Sequence, residues 1–246
     1  MLTASTSRGT VETVPYRENP LVHYRCLADL PDPVLLDSGA DHGLDLVAAA
    51  PLANRSLRLP AAPDAAAVAG FFAALETLHA DRPAVDDARP RLPFAGGLVG
   101  LVGYDAALPL HGLAGRAGPA AAPAALVHEY PWAVLQDRAR REAWLVARPG
   151  VAPALRRDLL ARLHAPAADA TAAFALERPF TPNRDAAGYR ESFERVQAWI
   201  RAGDCYQVNL ALRFTAPFRG DPLDAYSMLR GTARAPLRGR LRPPVP

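Results

Sequence analysis

Lysine is missing altogether: all 28 basic residues of this 246-residue chain are arginine. That excludes a lysine nucleophile and the Gly-Lys-Ser/Thr ending of a phosphate-binding P-loop. Cysteine is nearly as scarce. Cys26 and Cys205 stand far apart, in no metal-ligand spacing, which suits reduced thiols in a cytoplasmic protein. No apolar run approaches the roughly 20 residues that span a bilayer. The N-terminus has no signal-peptide core, so no membrane partner is expected. The formal charge is only +3, with arginine scattered and denser only near the C-terminus, so no nucleic-acid partner is expected. The 6 histidines are dispersed and the carboxylates equally so; Asp86-Asp87 reads as a solvated pair in a polar loop. No Ser-His-Asp or Cys-His arrangement follows from spacing. The residues alone assign no catalytic group and no metal site.

What is present is a globular composition, 50% hydrophobic and 22% charged, with 25 prolines. Residues 33–39 read as a buried strand ended by turn residues, and residues 44–49 as its partner. Asp64 is placed to cap a helix whose Val68, Phe71, Phe72, Leu75 and Leu78 share one face. Residues 131–135 and 142–146 read as the arms of a hairpin turning at 137–141. Leu155, Leu159, Leu160 and Leu163 mark a short amphipathic helix. After a linker at 165–180, Asn183 or Thr181 can cap a helix carrying Tyr189, Phe193, Val196 and Ile200, stopped by Gly203. Then comes the strictest alternation in the chain. Tyr206, Val208, Leu210, Leu212 and Phe214 fall on one face, expected to be buried, while Gln207, Asn209, Ala211 and Arg213 fall on the other. A short helix over 222–230 follows. Hairpin-ordered strands with helices between them predict an α+β fold built on antiparallel sheets.

The run Gly96-Gly-Leu-Val-Gly-Leu-Val-Gly103 lacks the spacing of a dinucleotide fingerprint as well as a P-loop ending. Glycine every third residue in an apolar strand instead points to bends and close backbone approach.

Two long blocks carry a family resemblance. Leu92-Pro-Phe-Ala-Gly-Gly-Leu-Val-Gly-Leu-Val-Gly-Tyr-Asp105 resembles a block of the chorismate-utilising enzymes. Ile200-Arg-Ala-Gly-Asp-Cys-Tyr-Gln-Val-Asn-Leu-Ala-Leu-Arg-Phe214 is similar to the aminodeoxychorismate synthase component I branch. Anthranilate synthase component I usually reads Gly-Asp-Ile-Phe-Gln-Val-Val-Leu there, so Asn209 separates the branches. Leu35-Leu-Asp-Ser-Gly39 resembles a third, shorter element.

The resemblance implies antiparallel sheets packed face to face with flanking helices. It implies a reaction that joins chorismate and glutamine-derived ammonia into 4-amino-4-deoxychorismate, for p-aminobenzoate and folate. It further implies Mg2+ in the full-length family and a glutamine amidotransferase subunit, component II, as partner. Tyr206, Gln207, Asn209 and Arg213 belong to its signature strand. Ser38 and Pro236 match an effector pocket of the tryptophan-binding type. The loop after Ser38 is shorter than in relatives with that pocket, and Leu237-Arg238 replaces Phe-Ser.

The family's lysine nucleophile and metal carboxylates lie in its C-terminal half, so the expectation is a chain cut before the catalytic half, inactive alone and holding no cofactor. The expected organisation is an N-terminal domain at 1–164, the linker at 165–180 and the start of a chorismate-binding domain at 181–236. An irregular, exposed tail at 237–246 follows, of the kind a shifted reading frame produces. The alternatives are a fragment of anthranilate synthase component I and a non-catalytic pseudogene product.

Overall fold

A computed structural model describes residues 9–39, 43–81, 92–113, 122–166, 174–233, 235 and 237–241. The chain divides into two compact units, Met1–Ala168 with Ala233–Pro246, and Asp169–Thr232.

The first unit contains β1 (Thr10–Val14), α1 (Leu21–Cys26), β2 (Val34–Asp37), β3 (Leu44–Ala48), β4 (Ser56–Leu59), α2 (Ala65–Ala80) and β5 (Gly97–Val102). A 3-10 helix (Tyr104–His111), β6 (Ala125–Tyr130), β7 (Trp132–Asp137), β8 (Glu142–Ala147) and α3 (Pro153–His164) follow. Six antiparallel strands form one sheet in the order β1-β8-β7-β3-β2, its last edge being a strand near the C-terminus. A smaller sheet runs β4-β6-β5.

Alternation decides what each face meets. Val34, Leu46, Ala48, Leu135 and Val146 of the large sheet share one buried cluster with Val99 and Tyr130 of the small one. The sheets therefore pack face to face. The intervening residues Leu35, Val47, Val134 and Leu145 are buried too, on the side where α1 lies against β2 and β3, and α3 against β1. The far face of the small sheet, through Leu59, Ala125 and Val127, packs on Val68 and Phe71 of α2. Asp64 caps α2 by accepting from the Ala67 N–H at 2.7 Å, as its position predicts. The mixed helix and antiparallel-sheet architecture expected from the sequence is present.

The glycine run forms β5, not a phosphate loop. A Cβ at Gly100 would overlap the Leu126 carbonyl of the neighbouring strand, so glycine there permits close strand approach. Asp86-Asp87 lies outside the described residues.

The second unit holds β9 (Ala175–Leu176), β10 (Thr181–Pro182), α4 (Ala186–Ala202), β11 (Phe214–Thr215), β12 (Phe218–Arg219) and α5 (Pro222–Thr232). Two details differ from expectation. The cap of α4 is Asp185, which accepts from the Gly188 N–H at 2.8 Å; Asn183 and Thr181 lie too far upstream. Gly203 does end the helix, in a left-handed conformation with φ +82°. The larger difference is residues 205–213, which form no strand. Among the described residues no strand pairs with them; Arg213 alone is tied through its backbone, to Asn183, and alternation without a neighbouring strand supplies no ladder of hydrogen bonds. Tyr206 is 94% exposed, and Val208 and Phe214 are exposed as well. The expected burial of that face does not hold in this chain.

Within the tail expected to be irregular and exposed, Leu237 is exposed, but residues 238–241 form a strand. β13 (Arg238–Leu241) pairs antiparallel with β2, setting Arg238 opposite Asp37 and Arg240 opposite Leu35. Edge pairing uses backbone groups that every non-proline residue carries, and these four residues include no proline. The Arg240 guanidinium lies 5.5 Å over the Tyr24 ring and its Nε donates to the Tyr24 hydroxyl at 3.2 Å. Residues 242–246 lie outside the described residues.

Candidate functional site

Three strand ends of the large sheet place polar groups where apolar residues would otherwise sit. β2 ends on Asp37, β3 starts with Leu44-Asp45, and β7 carries Gln136, whose register partner is Asp45. All three are buried. Two neighbouring carboxylates would repel in a low dielectric. Arg138 neutralises both, with its Nε 3.0 Å from Asp45 Oδ2 and its Nη2 3.4 Å from Asp37 Oδ1. Ser38, the effector-pocket residue of the sequence reading, completes this cluster. Its N–H and its hydroxyl both donate to Asp45 Oδ1 at 2.9 Å. Gly39, with φ +65°, donates its N–H to Asp37 and has the Ala235 carbonyl against it, leaving no room for a Cβ. Pro236 lies outside the described residues. The cluster extends to His23 on α1, where burial lowers the imidazole to about 4; the neighbouring Gln136 opposes that shift and the Arg17 charge adds to it.

A second buried cluster sits at the end of the small sheet. Glu129 of β6 is fully buried and accepts from Arg55 and from Arg148. Burial pushes its carboxyl up, but the hydrogen bonds from Arg55 and Arg148 outweigh it and hold the group below the usual carboxylate range. Arg55 also donates from Nη2 to the Leu78 carbonyl at 2.9 Å. These groups floor a cleft of about 520 Å³, whose walls include Leu52, Pro131, Val151 and Leu155. The Glu129 carboxylate is committed to its arginines; the other carboxylate lining the cleft is the exposed Asp81.

The structure does not gather the signature residues. Tyr206, Gln207, Asn209 and Arg213 are all exposed on the unpaired segment. Arg213 is tied locally, its N–H donating to Asn183 Oδ1 at 3.0 Å and its carbonyl accepting from the Asn183 N–H at 2.8 Å. Among the described residues no group of three or more His, Cys, Asp or Glu could hold a metal ion. Both buried charge clusters escaped the sequence reading. The available signal was a charge inside an apolar run, as in Ala-Leu-Val-His-Glu-Tyr over β6 and Val-Leu-Leu-Asp over β2.

The family profile described as chorismate binding enzyme matches residues 33–244. This chain belongs to the chorismate-binding enzymes. Among curated relatives, the aminodeoxychorismate synthase component 1 of Klebsiella aerogenes is 40% identical over 154 residues, covering 62% of this chain and 33% of that protein. The protein of the same name from Salmonella typhimurium is 31% identical over 248 residues, covering 95% of this chain and 53% of its own length. This member of the family thus spans between about a third and a half of those two relatives. Among solved structures, anthranilate synthase component I from Streptococcus pneumoniae superposes with a TM-score of 0.50 at 20% identity, over 94% of this chain and 47% of that one. That likeness establishes the fold. No described helix is long and apolar enough to cross a membrane.

Proposed function

We propose that this chorismate-binding family member is part of an aminodeoxychorismate synthase component I. Its reaction joins chorismate and ammonia, released from glutamine by a component II amidotransferase, into 4-amino-4-deoxychorismate in the cytoplasm. The observation that carries this reading is the segment Cys205-Tyr-Gln-Val-Asn209, supported by relatives of that name. Asn209 weighs against the anthranilate branch. A read of the genomic DNA beyond codon 236 tests it: a lysine-containing Pro-Ile-Lys-Gly-Thr block in any frame supports the reading, and its absence removes it.

Alone, the chain does not turn over chorismate. Covalent attack on the substrate ring needs a nucleophile, the one implied by the family is a lysine, and this chain has none. Mg2+, which belongs to the full-length reaction in this reading, finds no ligand set among the described residues, so no step is derived through it. Purified chain incubated with chorismate, ammonium and Mg2+ is expected to yield no aminodeoxychorismate by chromatography, with a full-length relative as positive control. Appearance of product overturns the claim. Anthranilate instead of aminodeoxychorismate favours the other branch.

Ser38 and Pro236 are assigned to a tryptophan-type effector pocket on sequence correspondence. Against it stands the Ser38 hydroxyl, already committed to Asp45. A thermal shift on adding tryptophan that is lost in Ser38→Ala supports the assignment; no shift removes it.

A further inference from the structure

The cleft between the end of α2 and the start of α3 combines aliphatic walls with a floor of unbalanced charge. Backbone bonds hold that floor in place. The Leu52 N–H donates to the Glu129 carbonyl at 2.9 Å, the Glu129 N–H to the Arg55 carbonyl at 3.0 Å, and the Arg148 N–H to the Pro131 carbonyl at 2.9 Å. A Cβ at Gly96 would meet the Arg148 Cδ at 2.6 Å, so glycine there leaves room for the arginine stem. On this floor two guanidiniums share the single Glu129 carboxylate, one oxygen each. The trio therefore carries one positive charge in excess. The side chains of Glu129 and Arg148 are buried, whereas that of Arg55 is 27% exposed. Arg55 uses Nε for Glu129 and Nη2 for the Leu78 carbonyl, and its Nη1 has no partner among the described residues. The walls are of another kind. Leu52, Pro131, Pro149, Val151 and Leu155 line them, with no aromatic ring, hydroxyl or amide side chain among the lining residues. The one further charge is Asp81, which is exposed at the rim and so is screened by water and salt more than the floor is.

We propose that this cleft binds a small monocarboxylate with an apolar body, the carboxylate on Arg55 and the body against the aliphatic walls. A guanidinium with an open donor recognises a carboxylate by charge-assisted hydrogen bonds. A mostly apolar cleft of about 520 Å³ with a few convergent polar groups is the usual form of a small-molecule site. The lining also decides against other classes. A polyol or nucleoside would bring hydroxyls that find no partner on these walls, and a second carboxylate would meet either aliphatic surface or Asp81. The start of α3 adds to the preference for an anion, since its N-cap Ala152 lines the cleft and offers no side-chain acceptor to the first-turn N–H groups. The site lies where β7 begins and β8 ends, whereas Asp45, the partner of Ser38, pairs with Gln136 near the other end of β7. It is therefore distinct from the effector pocket assigned above, and it does not rest on the proposed reaction.

The test is a titration of the full chain, followed by calorimetry and by amide NMR shifts. The probes are phenylacetate and 4-methylpentanoate, with acetate, the neutral phenylacetamide and the dicarboxylate phenylsuccinate as controls. The expected result is saturable binding of the first two with a Kd of about 1 mM or below, shifting the amides of Arg55, Glu129 and Val151. Phenylacetamide and phenylsuccinate are expected to bind at least about tenfold more weakly, and acetate not measurably. Arg55→Gln is expected to weaken phenylacetate at least about tenfold while leaving phenylacetamide unchanged, a split that loss of structure alone would not produce. Ala152→Trp fills the cleft from an exposed position, so it is expected to abolish binding without moving the melting temperature, whether or not Arg55→Gln folds. The proposal is overturned if neither carboxylate saturates by about 10 mM, or if acid and amide bind alike. Binding that survives Ala152→Trp, or that is tighter for phenylsuccinate than for phenylacetate, overturns it as well.

Discussion

Glu129 and Arg148 show how single residues set the stability of the first unit. Glu129 is fully buried and shared between two arginines, so removing it leaves the buried Arg148 without its carboxylate. Breaking a buried pair from one side costs about 3–5 kcal/mol, more than the pair contributes over an apolar replacement. Glu129→Leu is therefore expected to lower the urea midpoint strongly, and Glu129→Leu with Arg148→Met to recover part of the loss; equal midpoints for the two variants contradict this. His23 supplies a pH signature. Its folded value of about 4 lies below the ordinary 6.5, so the unfolded chain binds the extra proton first. Stability from the neutral imidazole is complete above pH about 6.5 and is lost as pH falls towards 4, by up to about 3 kcal/mol. Melting temperature against pH is expected to flatten across that window in His23→Leu. None of these partnerships was legible in the sequence. Arg55 and Glu129 stand 74 positions apart, and a pairing that needs the sheet to be folded first leaves no spacing signal. Ser38 was legible as a residue to notice, but not as a donor to Asp45.

Elements were legible where one face meets a core within the same chain. The hairpin β7–β8, the pair β2–β3 and helix α2 follow directly from alternation, turn residues and a capping aspartate, because burial of one face is what those patterns encode. Residues 205–213 carry the strictest alternation and still form no strand here: a period-2 pattern states which face a strand would bury, not that a neighbour is present. The tail errs the other way. Its lack of alternation argued against a strand, yet β13 pairs with β2 because an edge needs only backbone groups. Gly100 tests the packing of the small sheet. A side chain there would run into the Leu126 carbonyl and Val127, so Gly100→Val is expected to cost about 1–3 kcal/mol by overpacking. A shifted denaturant midpoint with an unchanged slope is the confirming result. A variant as stable as the parent would show that the strands can part without penalty.

At the scale of the molecule, the family was legible because two long blocks keep their order and spacing, and the fold followed from the elements between them. The uneven distribution of buried surface was not legible, since hydrophobic content is similar in sequence whether or not its partner exists. Among the described residues, the first unit buries apolar side chains from two sheets and three helices, from Val14 to Leu163, whereas the second buries Val196 and Leu223. Local stability follows buried apolar contact, so the two units are expected to open at different free energies. Limited proteolysis at low protease-to-protein ratio is the direct measurement. Early cuts are expected within 205–212, which lie in no helix or strand, with α4 lost soon after as its apolar face is left without cover. A product containing β2, β3, β7 and β8 is expected to persist, because those strands lie inside the paired sheet. Dye binding by the exposed aromatic surface is expected to fall in step with loss of the second unit. Cleavage starting inside β7–β8, or simultaneous loss of both units, would mean that the second unit draws stability from a source other than its own core.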